Sequence, residues 1–180
     1  MKNEVILVDH NDNEIGAMDK LQAHQENRLH RAFSVFIFNM KGEMLIHRRA
    51  LEKYHSPGLW SNTCCSHPSP GESIEEATKR RLMEEMNLVA DLEFVFKFKY
   101  QVSFDNELHE HEIDHVYYGV TDQRPLPNEY EVCEFKYISI TDLIKDVKEK
   151  PEKYTEWFKM CFEKVVEAYI HKQLALKKVG

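Results

Sequence analysis

The segment from Gly71 to Leu88 reads GESIEEATKRRLMEEMNL and predicts a helix near the middle of the chain. Ser73 and Glu76 fit the capping box S-x-x-E, in which two side chains satisfy free backbone N–H groups of the first turn. The helix is expected to run to Met86 or Leu88, with Asn87 suited to the C-terminal cap.

Strands are predicted on both sides of this helix. The run HRAFSVFIFN (30–39) is long, apolar and partly alternating, and a turn at 40–43 returns the chain as MLIHRR (44–49), its hairpin partner. Further extended segments are predicted at 4–9, 61–67, 92–104, 111–120 and 134–140. A helix starts at Thr141–Asp142, and a last one runs from Pro151 to about residue 173. This order predicts an α+β fold in which a sheet and helices form a sandwich.

Length and composition favour one domain over residues 1–180, because a domain has roughly 100–200 residues. The formal charge of −7 argues against a protein that coats nucleic acid or an anionic membrane, but a local basic cluster can still bind a small anion. The N-terminal apolar run is too short for a signal peptide or a membrane span. Four cysteines are too few for a disulfide scaffold, and free thiols predict a reducing, cytoplasmic location.

The first candidate for chemistry is the segment SNTCCSHPSPGE (61–72). In an extended chain, side chains alternate between faces, so Cys65 and His67 share a face with Thr63 while Cys64 points the other way. A thiol beside a cation or a metal can act as a nucleophile or in proton transfer. The alternative is that both cysteines are small, buried apolar residues.

A second cluster is HEHEIDH (109–115). In a strand, Glu110, Glu112 and Asp114 line one face, and neighbouring carboxylates at i and i+2 are suited to clamp a cation. The alternative is a solvated edge strand with mixed charge. With three imidazoles from His24, His30 and His67, the two glutamates would complete a transition-metal site of three histidines and two carboxylates.

The central helix also carries Arg81 and Glu85, which share a face at i, i+4. One interpretation is a surface ion pair of little energetic value. The other is that Glu85 holds Mg²⁺ and Arg81 holds a phosphate oxygen.

The central segment resembles a Nudix box, usually written G-x₅-E-x₇-R-E-U-x-E-E-x-G-U. The matching residues are Glu72, Arg80, Leu82, Glu84, Glu85 and Leu88. The departures are Ser66 for the first glycine, Arg81 for the glutamate after arginine, and Asn87 for the last glycine. An intact box implies hydrolysis of nucleoside diphosphate derivatives, and the lost glutamate argues against that activity.

The segments LHRAFSVFIFN (29–39), LIHRRALEKYHSPGLWSNTCCSHP (45–68) and HEHEIDHVYYG (109–119) resemble the type 1 isopentenyl-diphosphate Δ-isomerases, from about residue 4 to 170. These are Nudix-fold enzymes, so the resemblance implies a Nudix-like mixed sheet flanked by helices. It also implies an isomerase of isoprenoid biosynthesis that converts isopentenyl diphosphate to dimethylallyl diphosphate, without an organic cofactor. The family suggests a monomer.

The resemblance assigns roles residue by residue. The catalytic residues would be Cys65, Glu112 and Tyr100, with protonation expected from the Glu112 and Tyr100 side and deprotonation by Cys65. A metal ion (Mn²⁺, Mg²⁺ or Zn²⁺) would be held by His24, His30, His67, Glu110 and Glu112, and Glu85 would bind Mg²⁺ shared with the diphosphate. The diphosphate would be bound by Lys20, Arg49, Lys53, Arg81 and the loop residue Ser66, and Trp157 would form an aromatic wall of the pocket.

Two other functions remain open from the sequence. A Nudix pyrophosphohydrolase is the nearest alternative, and the altered box together with the Cys65 and His67 pair argues against it. A non-enzymatic metal-binding or interaction module is the other, and it predicts bound metal without turnover.

Overall fold

The fold was analysed in a computed structural model, which describes residues 3–104 and 106–178, so the ends of the predicted 1–180 domain and residue 105 lie outside it. The strands are β1 (Glu4–Val8), β2 (Glu14–Asp19), β3 (His30–Phe38), β4 (Glu43–Arg49), β5 (Trp60–Ser61), β6 (Cys64–Ser66), β7 (Leu92–Ser103), β8 (His109–Val120) and β9 (Val132–Ser139). The helices are α1 (Lys20–Gln25), α2 (Ile74–Met86), α3 (Ile140–Glu149) and α4 (Glu156–Lys177), with a 3₁₀ turn at Pro151–Lys153.

All of these strands belong to one mixed sheet, and β3 lies near its centre. Along one edge, β3 pairs in parallel over its whole length with residues 112–120 of β8, which in turn pairs antiparallel with β7. Along its other edge, β3 meets β1, β6 and β4 in antiparallel pairs. Strand β3 therefore connects segments that lie far apart in the sequence.

Helices cover the sheet on both faces, so the expected α+β sandwich with a mixed sheet is confirmed. On one face, Phe36, Val116, Phe158 and Val165 belong to the larger core with α3 and α4. On the other face, a smaller core joins the sheet to α2, and it contains Leu82 and Met86. The alternation of β3, with even and odd positions on opposite faces, supplies side chains to both cores.

Helix α2 has the caps that its sequence predicts. The Ser73 side chain accepts from the Glu76 backbone N–H, and the Glu76 carboxylate accepts from the Ser73 N–H. Asn87 adopts the left-handed conformation (φ 53°) at the C-terminal cap. These contacts satisfy backbone groups that the helix itself leaves free.

Two elements, β2 and α1, are absent from the prediction. Strand β2 pairs with β1, but its side chains are almost all exposed, so it carries no apolar alternation. Helix α1 is only six residues long, and the Asp19 side chain caps it by accepting from the Gln22 N–H. A helix this short owes its stability to packing rather than to propensity.

The prediction that the last helix begins at Pro151 is wrong. Pro151 starts a separate 3₁₀ turn, after which Tyr154 is extended and pairs with Trp60. The backbone N–H of Thr155 donates to the Trp60 carbonyl at 3.0 Å, so the chain is held in a β-like path before α4 begins. Helix α4 also extends past residue 173 to Lys177. Within the described residues, no helix combines the length and apolar character needed to span a membrane.

We expect Ser73→Ala to destabilise the protein by about 1 kcal/mol, because it removes the N-cap acceptor of α2. Urea denaturation measures the change in the free energy of unfolding. Lys79→Ala, an exposed substitution on the same helix, is the matched control and should stay within about 0.5 kcal/mol of the parent. Equal stability of the Ser73 and Lys79 variants would contradict a stabilising cap.

Candidate active site

The pairing of three strands places His30, Glu112 and Tyr100 in one row across the sheet. His30 of β3 is the register partner of Glu112 in β8, and Glu112 is the partner of Tyr100 in β7. Directly paired residues point to the same face of a sheet. The row therefore presents an imidazole, a carboxylate and a phenol on one surface.

Four predicted metal ligands come together at this row. Ligand atoms of His24, His30, His67 and Glu112 all lie within 4.8 Å of one another, and each side chain is buried or half-buried. Helix α1 contributes His24, β3 contributes His30, and His67 follows β6. Three nitrogens and a carboxylate oxygen form a donor set that suits a transition metal.

The tautomers of two of these histidines leave Nε2 available to bind a metal. His24 Nδ1 lies 2.8 Å from the His109 carbonyl oxygen, and His30 Nδ1 lies 2.8 Å from the Arg28 carbonyl oxygen. Because a carbonyl only accepts, each ring carries a proton on Nδ1, and the ligating lone pair of a ring with this tautomer lies on Nε2. Both Nε2 atoms are buried without a hydrogen-bond partner, although His30 Nε2 lies 3.2 Å from Glu112 Oε1. Outer hydrogen bonds of this kind are typical of metal-ligating histidines, so the residues fit a metal.

Glu112 is the most connected carboxylate of the site. Its Oε1 lies 2.9 Å from His67 Nε2 and 3.2 Å from His30 Nε2, and its Oε2 accepts from the Tyr100 hydroxyl at 2.6 Å. Burial would raise the pKa of Glu112, but the neighbouring imidazoles of His30 and His67 outweigh it and hold the pKa below its usual range. Burial lowers the pKa of His67 to about 3. The ring of His67 is thus neutral, as a ligand must be.

The structure does not include Glu110 among the four clustered ligands. Its Oε1 lies 3.1 Å from His55 Nε2, and the Tyr100 hydroxyl is 3.4 Å from its Oε2. Burial, followed by the charge of Glu112, raises the pKa of Glu110. Glu110 therefore lies beside the four clustered ligands. Its Oε1 contacts His55, a residue that the sequence analysis did not single out.

Cys65 and Cys64 lie on opposite faces of the sheet, as alternation predicts. Cys64 is fully buried in the core beneath α2, whereas Cys65 is half-buried and lines the same cavity as Glu112. Burial raises the pKa of Cys65 to about 12, and Arg49, whose Nη1 is 3.9 Å from Sγ, opposes that rise. Cys65 and Glu112 flank β3 from its two edges.

The cavity has a volume of about 320 Å³ and is lined by both basic and acidic side chains. The predicted diphosphate residues that line it are Lys20, Arg49, Lys53, Ser66 and Arg81. The pKa of Lys20 is lowered first by burial and then by repulsion from Lys53, Arg49 and Arg81. Because these cations repel one another, an anion bound among them would be stabilised even in a chain of net charge −7.

Glu85 and Arg81 form an ion pair between a buried carboxylate and a half-buried guanidinium. Arg81 Nη2 donates to Glu85 Oε1 at 2.6 Å and to Glu131 Oε1 at 3.1 Å. Glu131 also pairs with Lys53. Burial raises the pKa of Glu85. Two carboxylates converging at the cavity are the hard oxygen ligands that Mg²⁺ prefers.

Trp157 is 3% exposed and lines the cavity from α4. Its Nε1 donates to Ser61 Oγ at 3.0 Å, which fixes the plane of the ring. The guanidinium carbon of Arg49 lies 5.2 Å from the ring centroid, so the indole already contacts one cation.

The residues that line the cavity include His55, Asp114 and Glu131, to which the sequence analysis assigned no role. Asp114 shares the face of Glu112, which the alternation of β8 does indicate. Burial, with the charge of Glu112, raises the pKa of Asp114 to about 8, although Ser34 Oγ donates to it at 2.8 Å. His55 and Glu131 lie in loops, where no periodicity marks a residue for the site.

Comparison with known structures identifies the fold. The NUDIX domain family matches residues 28–158. A crystal structure from Deinococcus radiodurans has a TM-score of 0.68 and 21% identity, covering 82% of this chain and 90% of that one. A MutT protein from Methanosarcina mazei Go1 has a TM-score of 0.62 and 20% identity, covering 81% and 95% of the two chains. The matched domain and these shared folds define a protein of the NUDIX class.

Two curated relatives identify a narrower family within the NUDIX class. An isopentenyl-diphosphate Delta-isomerase of Pectobacterium atrosepticum is 49% identical over 162 residues, covering 90% of each chain. Isopentenyl-diphosphate Delta-isomerase 2 of Aromatoleum aromaticum is 46% identical over 166 residues, covering 92% of this chain and 88% of that one. The chain belongs to the family of isopentenyl-diphosphate Delta-isomerases. The expected family, Nudix fold and isomerase class are thereby confirmed.

We expect His67→Ala to weaken Mn²⁺ binding by more than the roughly 10–100-fold that loss of an outer-shell partner costs, because it removes a ligand. Competition with a chelator measures the affinity of the purified protein. His171→Ala, which removes an exposed histidine of α4, is the control and should bind Mn²⁺ like the parent. Unchanged affinity in the His67 variant would exclude it from the metal centre.

Proposed function

We propose that this chain converts isopentenyl diphosphate to dimethylallyl diphosphate in isoprenoid biosynthesis. The observation that carries the proposal is that Cys65, Glu112 and Tyr100 line a single cavity with a cluster of cations. The cations suit the diphosphate, and the thiol and carboxylate suit proton transfer to and from the alkene. The names of the relatives point to the same reaction.

The reaction needs an acid and a base on two sides of a small hydrocarbon group. A proton adds to the terminal alkene carbon, the π electrons form the new C–H bond, and a tertiary carbocation remains. Loss of a proton from the neighbouring carbon then returns an electron pair to form the new double bond. Cys65 and Glu112, which flank β3 from opposite edges, are suited to these two roles.

We assign protonation to the Glu112 and Tyr100 side and deprotonation to Cys65. The hydrogen bond of 2.6 Å between the Tyr100 hydroxyl and Glu112 joins two groups that can pass on a proton. Because burial raises the pKa of Cys65, this order requires a thiolate before the proton is taken, and Arg49 is the cation suited to stabilise it. The reverse order would start from the neutral thiol.

Two metal sites accompany this assignment. The clustered His24, His30, His67 and Glu112, together with the adjacent Glu110, would hold one Mn²⁺, Mg²⁺ or Zn²⁺ ion. Glu85 would hold Mg²⁺ together with the diphosphate. When bound, these ions supply positive charge that fixes the carboxylates and neutralises the phosphates.

The remaining residues bind and orient the substrate. Lys20, Arg49, Lys53 and Arg81 would bind the phosphate oxygens, with Ser66 on the adjacent loop. Anchoring the diphosphate would hold the alkene in a reactive position. The face of Trp157 would stabilise the carbocation by roughly 0.5–2 kcal/mol.

We further propose that the protein acts in the cytoplasm as a monomer of one domain over residues 1–180. The free state of Cys64, Cys65, Cys133 and Cys161 supports a reducing compartment. The strands that carry the site all belong to one sheet, which supports one domain. Size-exclusion chromatography with light scattering measures the oligomeric state.

Incubation of the purified protein with isopentenyl diphosphate and Mg²⁺ in D₂O should give deuterated dimethylallyl diphosphate without release of phosphate. Deuterium enters because the alkene is protonated from groups that exchange with solvent. Proton NMR follows the product, and a phosphate assay runs in parallel. Release of phosphate would instead identify a pyrophosphohydrolase, and bound metal with unchanged substrate would identify a binding module.

The Cys65→Ala variant tests which side protonates. We expect it to lose turnover but to place deuterium on the terminal alkene carbon of recovered isopentenyl diphosphate, because protonation from the Glu112 side can still occur and reverse. Cys133→Ala, which removes an exposed thiol, should retain full activity. A Cys65 variant that returns undeuterated substrate would assign the first proton to Cys65.

A further inference from the structure

His55 lies in the loop between β4 and β5 and contacts Glu110, a residue of the proposed metal centre. Its Nε2 is 3.1 Å from Glu110 Oε1, and both side chains are less than a tenth exposed. The relevant feature is thus a buried imidazole that contacts a proposed ligand without belonging to the group of four clustered ligands.

The ring of His55 is held in place from several sides. It stacks on Phe104 at 5.5 Å between centroids and 23° between planes, and it meets Tyr54 and Trp157 edge to face at 4.7 and 5.9 Å. Its backbone carbonyl accepts from Arg49 Nη2 at 3.2 Å. These contacts therefore fix the position of Nε2 independently of Glu110.

The tautomer of this imidazole decides whether it can donate to Glu110. With its proton on Nε2, the ring presents a donor to Glu110 Oε1 at 3.1 Å. The other nitrogen, Nδ1, is buried and has no hydrogen-bond partner, so no contact of Nδ1 within the described residues favours a proton there. The Nε2–H tautomer is therefore the one that suits this pair.

We propose that His55 is a positioning residue of the metal centre, which fixes the Glu110 carboxylate by donating from Nε2–H to Oε1 and leaves Oε2, which lies 3.4 Å from the Tyr100 hydroxyl, to ligate. This inference rests on the proposed function, since it takes Glu110 as a ligand. Without the donor, a buried carboxylate oxygen loses its partner and the carboxylate can rotate. Outer-shell donors to ligating carboxylates orient them in this way.

Two substitutions separate the hydrogen bond from packing. His55→Phe keeps an aromatic ring against Phe104 and Trp157 but has no donor, whereas His55→Gln keeps a side-chain N–H. We expect His55→Phe to weaken Mn²⁺ binding by about 10–100-fold and His55→Gln to recover most of that loss. Chelator competition on the full chain gives the affinities, and the EPR spectrum of bound Mn²⁺ reports the ligand geometry, which should change only in His55→Phe. His171→Phe is the control and should match the parent in both measurements.

The outcomes distinguish this inference from the proposed function. Parent-like affinity and EPR spectrum in His55→Phe would overturn the positioning role. Equal losses in the Phe and Gln variants, together with lower unfolding midpoints in both, would assign His55 to packing and also overturn it. If the parent protein binds Mn²⁺ but does not isomerise the substrate, the proposed function fails, while the comparison of variants still decides the role of His55.

Discussion

The site depends on the register of the parallel pair between β3 and β8. This pairing sets His30 against Glu112 and Ala32 against Asp114, across more than eighty residues of sequence. Because side chains alternate, a shift of one residue in either strand would turn its polar groups to the opposite face. The row that continues to Tyr100, and the relation of Cys65 to it across β3, exist only in the observed register.

Around this row the protein buries an unusual concentration of charge. Glu110, Glu112 and Asp114 are each 5% exposed or less, and they repel one another within a single strand. Burying such groups costs free energy unless opposite charge compensates them. The imidazoles compensate Glu112 in part. A bound cation would relieve the remainder, so metal binding and the stability of this region are coupled by mass action.

The sequence predicts those elements that are marked by patterns within a few neighbouring residues, such as alternation or helix caps. Alternation in 30–39 and in 109–115 correctly assigns strands and their polar faces, and the caps at Ser73 and Asn87 correctly bound α2. Family resemblance supplied the site residues, four of which the structure brings within ligand distance. By contrast, β2 is exposed and α1 is short, so neither has a periodic pattern. The contact of His55 with Glu110 forms only in the folded chain, and no spacing in the sequence encodes it.

The alternation that separates Cys64 from Cys65 also bears on how the protein withstands oxidation. The two sulfurs belong to neighbouring residues, yet the sheet lies between them and α2 covers the first. A disulfide requires its two Cβ atoms to face each other at about 3.5–4.5 Å, which opposite faces of an extended strand do not allow. Oxidation of Cys65 would therefore involve small molecules that enter the cavity, and any ligand that fills the cavity would protect the thiol from them.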